Sequence, residues 1–107
     1  MQRYGQVLGI KTENIAEYTR LHADVWSGVL KMIHECNIRN YSIFQKDNLL
    51  FAYFEYIGDD FAADMAKMAA DPTTQEWWKV CTPLQDPLPT RAEGEWWATM
   101  KEVFHTE

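Results

Sequence analysis

The stretch Ile38-Arg39-Asn40-Tyr41-Ser42-Ile43-Phe44-Gln45-Lys46-Asp47-Asn48-Leu49-Leu50-Phe51-Ala52-Tyr53-Phe54-Glu55-Tyr56 decides the fold. Side chains of a strand point to opposite faces with a period of two. On that reading Tyr41 and Ile43 share one face of a first strand, Ile38 to Gln45, and Phe44 lies on the other. In a second strand, Asn48 to Tyr56, the residues Leu49, Phe51 and Tyr53 oppose Leu50, Ala52, Phe54 and Tyr56. The polar turn Lys46-Asp47-Asn48 joins the two into a hairpin. Both of its faces are apolar, so both must be covered. One layer of helices from the same chain covers one face; the other needs a ligand, a second subunit or both.

Upstream of the hairpin, Arg3 to Ile10 alternates as a strand, with Tyr4, Gln6, Leu8 and Ile10 on one face and Gly5, Val7 and Gly9 on the other. The glycine face lets something approach the backbone closely. After the turn Lys11 to Glu13, Asn14 suits an N-cap with Glu17 three residues on, and the helix they start is expected to run to about Glu35. Asn37 is suited to the left-handed conformation past its end. Tyr18, His22 and Trp26 recur every four residues and form one stripe with Ile15, Val25, Val29 and Ile33. His22 is the titratable group in that stripe. It reads either as a packed core residue or as the proton handler of a pocket, while Trp26 reads as core. Gly28 marks either close packing against the sheet or room for a ligand one turn past Trp26.

Downstream, Asp59 to Ala70 reads as a second helix with Phe61, Met65 and Met68 on one side. Asp71-Pro72 opens a short helix, Thr73 to Cys81, that carries Trp77-Trp78. Adjacent helical residues point about 100° apart, so one indole packs while its neighbour faces a pocket or an interface. Pro83, Pro87 and Pro89 mark an extended loop, and Glu102 to His105 reads as a short last strand. The order β-α-β-β-α-(α)-β is the split βαβ, ferredoxin-like plan of an α+β domain spanning residues 1–107. With a second apolar sheet face, the expected form is a homodimer whose sheets pack face to face, a dimeric α+β barrel.

Composition narrows the function. The 107 residues carry a net charge of −6 and no basic cluster, which argues against nucleic acid and anionic membrane as partners. The longest apolar run, Leu49 to Phe54, is too short to span a bilayer. No charged start followed by an apolar segment opens the chain, so a cytoplasmic rather than secreted protein is expected, with Cys36 and Cys81 as free thiols. Neither the histidines nor the cysteines show metal-ligand spacing, so no metal is expected. Five Trp, five Tyr and five Phe are more rings than a core of this size hides, which directs some to a ligand site or a subunit interface.

The split βαβ plan brings Tyr18 and His22 of the first helix, Tyr41 of the hairpin, and Trp77 and Trp78 of the late helix toward one pocket. Aromatic faces that stack on C–H groups, together with hydroxyls and an imidazole, are a set that binds sugars. No nucleophilic triad, phosphate loop or dinucleotide motif is present, so no cofactor is expected and the accessible chemistry is proton transfer. Taken singly, the tyrosines also read as core residues with bonded hydroxyls, and the tryptophans as dimer anchors.

At this point the chain resembles the L-rhamnose mutarotases. The resemblance rests on Tyr18-x3-His22-x3-Trp26, on Asn40-Tyr41-Ser42-Ile43 with Asn48-Leu49-Leu50-Phe51-Ala52, on Gln75-Glu76-Trp77-Trp78, and on Glu102-Val103-Phe104. It implies a dimeric α+β barrel that interconverts the α and β anomers of L-rhamnose or a related deoxysugar. It also implies that His22 is the proton donor and that Tyr18, Tyr41, Trp77 and Trp78 contact the sugar. Two stretches depart from the family pattern: Trp26-Ser27-Gly28 stands where Trp-Pro-Glu is usual, and the loop Thr82 to Arg91 lacks an Asn/Asp-rich form. Two other readings fit such a barrel: a monooxygenase of the haem-degrading or quinol type, and a sugar-binding module without activity.

Overall fold

A computed structural model describes every residue from Met1 to Glu107. The hairpin forms as its alternation requires. Strands β2 (Ile38–Lys46) and β3 (Leu49–Tyr56) pair antiparallel, and Asp47 in the tight turn takes a positive φ of 52°. A register shift between Arg39 and Ser42 kinks β2, with Asn40 at φ 53°. Strand β1 (Gln2–Ile10) lies antiparallel on the other side of β3, placing Val7 beside Phe51 and Phe51 beside Phe44.

Between β1 and β2 run two helices where the periodicity predicts one. Helix α1 (Ile15–His22) stops at His22, and α2 (Ser27–Glu35) starts afresh after Trp26, whose ψ of 136° is not helical. No proline or glycine lies between Ala23 and Trp26 to announce the break. A tertiary contact accompanies it: α2 passes so close to the following α4 (Pro72–Cys81) that a Cβ on Gly28 would come within 2.9 Å of the Thr73 methyl. Gly28 thus serves close packing, against a helix rather than the sheet. The break also lifts Trp26 out of the core, to 38% exposure. Asn14 stands at the N-cap of α1 as expected, but its side chain makes no capping hydrogen bond. A 3-10 turn over Thr12–Asn14 precedes α1, and the Asn14 amide donates instead to the Leu84 carbonyl (3.3 Å). Asn37 does take the left-handed conformation, φ 65°.

Helix α3 (Phe61–Ala70) is capped by Asp60, which accepts from the Ala63 N–H. Asp71 caps α4 twice over, accepting from the Thr74 N–H and hydroxyl, each at 2.9 Å. Asp64 ties α3 to the sheet by accepting from the Tyr56 hydroxyl and the Asn37 amide.

The segment after α4 departs most from expectation. The proline-rich loop holds a two-residue strand, β4 (Gln85–Asp86), and the last strand is β5 (Ala98–Met100) rather than Glu102–His105. Both pair with the free edge of β1, β4 at Gly9–Ile10 and β5 at Gly5–Val7. The glycines of β1 admit these strands: a Cβ on Gly9 would overlap the Asp86 carbonyl at 2.1 Å. β1 is therefore central, and beyond Met100 Glu102 pairs with Arg3 of β1 at 2.9 Å.

All four helices cover one face of this sheet. Leu8, Ile10 and Leu50 pack with Tyr18, Val29, Trp77 and Cys81; Phe54, Tyr56 and Ile38 pack with Tyr4, Phe61 and Met65. The opposite face, with Val7, Phe44 and Phe51, has no helix over it, and Phe44 is 64% exposed. The architecture is the α+β, ferredoxin-like one, with a curled antiparallel sheet backed by helices.

Candidate active site

Helix α1 sets Tyr18 and His22 one turn apart, with their rings stacked at 4.0 Å and 22°. His22 closes the helix, and its Nδ1 lies 2.9 Å from the Tyr18 carbonyl oxygen. A carbonyl only accepts, so Nδ1 carries the proton, and the neutral ring keeps its lone pair on Nε2. Burial lowers the His22 pKa below the ordinary histidine value; the bond to Tyr18 favours the charged form and does not offset it. At neutral pH the side chain is therefore mainly uncharged.

Trp77 of α4 closes this cluster from the side. Its indole meets His22 edge-on at 5.2 Å and Trp26 edge-on at 5.1 Å, and it is buried to 6% exposure. Tyr18 is buried as well, and burial drives its hydroxyl well above the usual tyrosine range. Tyr41 of β2 leans on Phe54 (5.6 Å), on the helix-covered face of the sheet, and is near enough to raise the Tyr18 pKa further. It is 40% exposed, yet surrounding protein pushes its hydroxyl up to about 12. Cys81, in the core beside Tyr18, is pushed up to about 11 by burial, so its thiol stays protonated.

The cluster thus offers a neutral imidazole with one free lone pair and two hydroxyls that keep their protons. None of these groups is charged at neutral pH, so the cluster suits an uncharged polar ligand. Three or more His, Cys, Asp and Glu side chains come together nowhere in a way that could hold a metal ion.

Of the five residues singled out from sequence, the structure gathers Tyr18, His22 and Trp77 and brings Tyr41 near Tyr18. Trp78 is set apart. It is 41% exposed and lines a groove of about 560 Å³ with Lys11, Thr82, Gln85 and Trp96. That groove does not include His22; Gln85 is its link to the cluster. The Gln85 side chain is buried, receives the Trp96 indole N–H on Oε1 (2.8 Å) and directs Nε2 at the Tyr18 hydroxyl (3.5 Å). Sequence reasoning missed Gln85 and Trp96. They lie in a segment with no periodicity to read, and a two-residue strand leaves no alternation.

A family model described as L-rhamnose mutarotase matches residues 3–106. An L-rhamnose mutarotase of Opitutus terrae is 32% identical over 110 residues, covering 100% of both chains. An L-fucose mutarotase of Xanthomonas campestris is also 32% identical over 110 residues, covering 97% of this chain and 87% of that protein. The crystal structure of an L-rhamnose mutarotase from Formosa agariphila superposes with a TM-score of 0.79 over 100% of each chain at 20% identity, a likeness of fold.

Proposed function

The chain belongs to the L-rhamnose mutarotase family and is a sugar mutarotase, an isomerase, and we propose that it interconverts the α and β anomers of L-rhamnose or a related deoxysugar such as L-fucose, with His22 moving the proton. The observation that carries the assignment to His22 is the fixed tautomer: Nδ1 is held by the Tyr18 carbonyl, which leaves Nε2 free to take and return a proton. In the closed sugar the anomeric hydroxyl oxygen and the ring oxygen are bonded to the same carbon, within reach of one nitrogen. Nε2 accepts the hydroxyl proton as the carbonyl forms and the bond from the anomeric carbon to the ring oxygen breaks. The imidazolium then gives that proton to the ring oxygen. The aldehyde rotates, the steps reverse on its other face, and the free imidazole is restored. No group is consumed and no covalent intermediate forms. Tyr18, Tyr41, Trp77 and Trp78 are proposed to hold the sugar.

Exchange between anomeric protons, followed by saturation-transfer NMR in solutions of L-rhamnose and L-fucose, tests the reading. His22→Asn should fold normally yet lower the exchange rate by about 10²-fold or more, the ordinary contribution of a positioned acid–base group. A stable variant that exchanges anomers at the parent rate removes His22 from the mechanism.

The chain is further proposed to form a homodimer through the uncovered sheet face. Val7, Phe44 and Phe51 lie across that face in register, and Val103 and Phe104 stand 88% and 79% exposed near the end of the chain. Sedimentation at micromolar concentration should report about twice 12.6 kDa, and a monomer there overturns it. A cytoplasmic location is proposed on the two buried, unpaired cysteines, Cys36 and Cys81. No helix is long and apolar enough to cross a membrane.

A further inference from the structure

We infer that Gln85, its amide locked by Trp96, is a positioning residue that turns the Tyr18 hydroxyl into an obligate hydrogen-bond donor toward the sugar. The inference rests on the proposed contact between Tyr18 and the sugar. An indole N–H only donates, so the atom it meets at 2.8 Å must be the Gln85 carbonyl oxygen. That fixes the amide orientation and leaves Nε2, a donor without acceptor capacity, facing the Tyr18 oxygen at 3.5 Å. The tyrosine oxygen therefore accepts from Gln85, and its own proton must point elsewhere. No protein atom takes it: the Gln85 contact is the one hydrogen bond made by the Tyr18 hydroxyl, although the residue is 5% exposed. A buried donor with no acceptor is unfavourable unless a ligand supplies one. A sugar oxygen placed beside the Tyr18 hydroxyl meets that need.

The arrangement also gives the loop after α4 a role. Gln85 is held in place by β4, which pairs with the end of β1, while Trp96 comes from just before β5. Two strands on the β1 edge thus set the polarity of a hydroxyl on α1. The orientation is a matter of chemistry rather than of shape, so an isosteric change reverses it. In Gln85→Glu the carboxylate still accepts from Trp96, but it also accepts from Tyr18 and draws the tyrosine proton away from the sugar. Once protonated, that carboxyl donates to the tyrosine oxygen and restores the original sense.

The test is sugar affinity, measured by tryptophan fluorescence with L-rhamnose and L-fucose at pH 7.5 and pH 5, each variant against the parent at the same pH. Gln85→Glu should bind about three- to tenfold more weakly at pH 7.5, the range of one neutral hydrogen bond, and regain part of the deficit at pH 5, because burial at this position raises the carboxyl's pKa above the ordinary glutamate value. Gln85→Met should lose affinity to the same extent at both values. A purely structural role for Gln85 predicts losses that follow the melting temperature and do not depend on pH, and that result overturns the inference. Tyr18→Phe separates the two levels of the argument. If it leaves affinity unchanged, the sugar contact itself is wrong. If it weakens binding while Gln85→Glu does not, the contact stands and the orienting role falls. In the Tyr18→Phe background, Gln85→Glu should have no further effect.

Discussion

Trp77 and Trp78 are neighbours in one helix, yet they end in different worlds. Trp77 is 6% exposed and wedged edge-on between His22 and Trp26; Trp78 is 41% exposed in a groove with Lys11 and Trp96. The 100° step between adjacent helical positions is the cause, because α4 lays one stripe on the core and turns the next outward. Identical side chains thus carry different duties: the inner indole is a wall of the Tyr18–His22 cluster and part of the core, and the outer one is free to meet a ligand without supporting the fold.

That contrast breaks most sharply under truncation of the inner ring. Trp77→Ala should lower unfolding stability by about 3–5 kcal/mol, the range for emptying a large buried aromatic site, as read by urea denaturation. A loss below about 1 kcal/mol would show that the ring is not core. The next effect in size is that of pH on the imidazole beside Trp77. The folded pKa of His22 lies below its unfolded value of about 6.5, so the unfolded chain binds the proton more readily. The stability contribution is therefore fully present above about pH 6.5 and is lost as pH falls through the lower folded value. Turnover should follow the same sign. The rate should be level at neutral pH and drop on the acid side, by about tenfold per pH unit once well below the folded pKa, because in the proposed mechanism the neutral ring takes the first proton. A rate that instead falls as pH rises through 6–7 would reverse the order of proton transfer.

The smallest effect sharpens the other half of the contrast. Trp78→Ala should change stability by no more than about 0.5 kcal/mol, as an exposed site does. Sugar affinity should still weaken by about two- to tenfold if the indole stacks on the ligand, the worth of one aromatic contact. Unchanged affinity for both L-rhamnose and L-fucose would confine sugar binding to the inner cluster.

Local chemistry wrote much of this into the chain. The alternation of Leu49 to Tyr56 set which hairpin residues face the helices, and the structure buries Leu50, Ala52, Phe54 and Tyr56 accordingly. The four-residue spacing of Tyr18 and His22 placed their rings in contact because one helical turn brings such positions together. Asn37 and Asp47 have positive φ at the sites where a helix ends and a hairpin turns. These are short-range consequences, readable without knowing what lies across the molecule.

Tertiary structure decided the rest. That α1 and α2 are two helices is not written in the apolar stripe, which runs through the break without registering it, and the close approach of Gly28 to Thr73, forty-five positions away, is likewise visible only in the folded chain. The last strand falls at Ala98–Met100 because the open edge of β1 lies there, although Glu102 to His105 has the stronger strand character. Gln85 entered the site for the same kind of reason: β1 needed an edge partner, and that pairing delivered an amide to the Tyr18 hydroxyl. Period and propensity act over one or two turns of chain. Edges, close approaches and the orientation of a single amide are settled only by what the fold brings from far along the sequence.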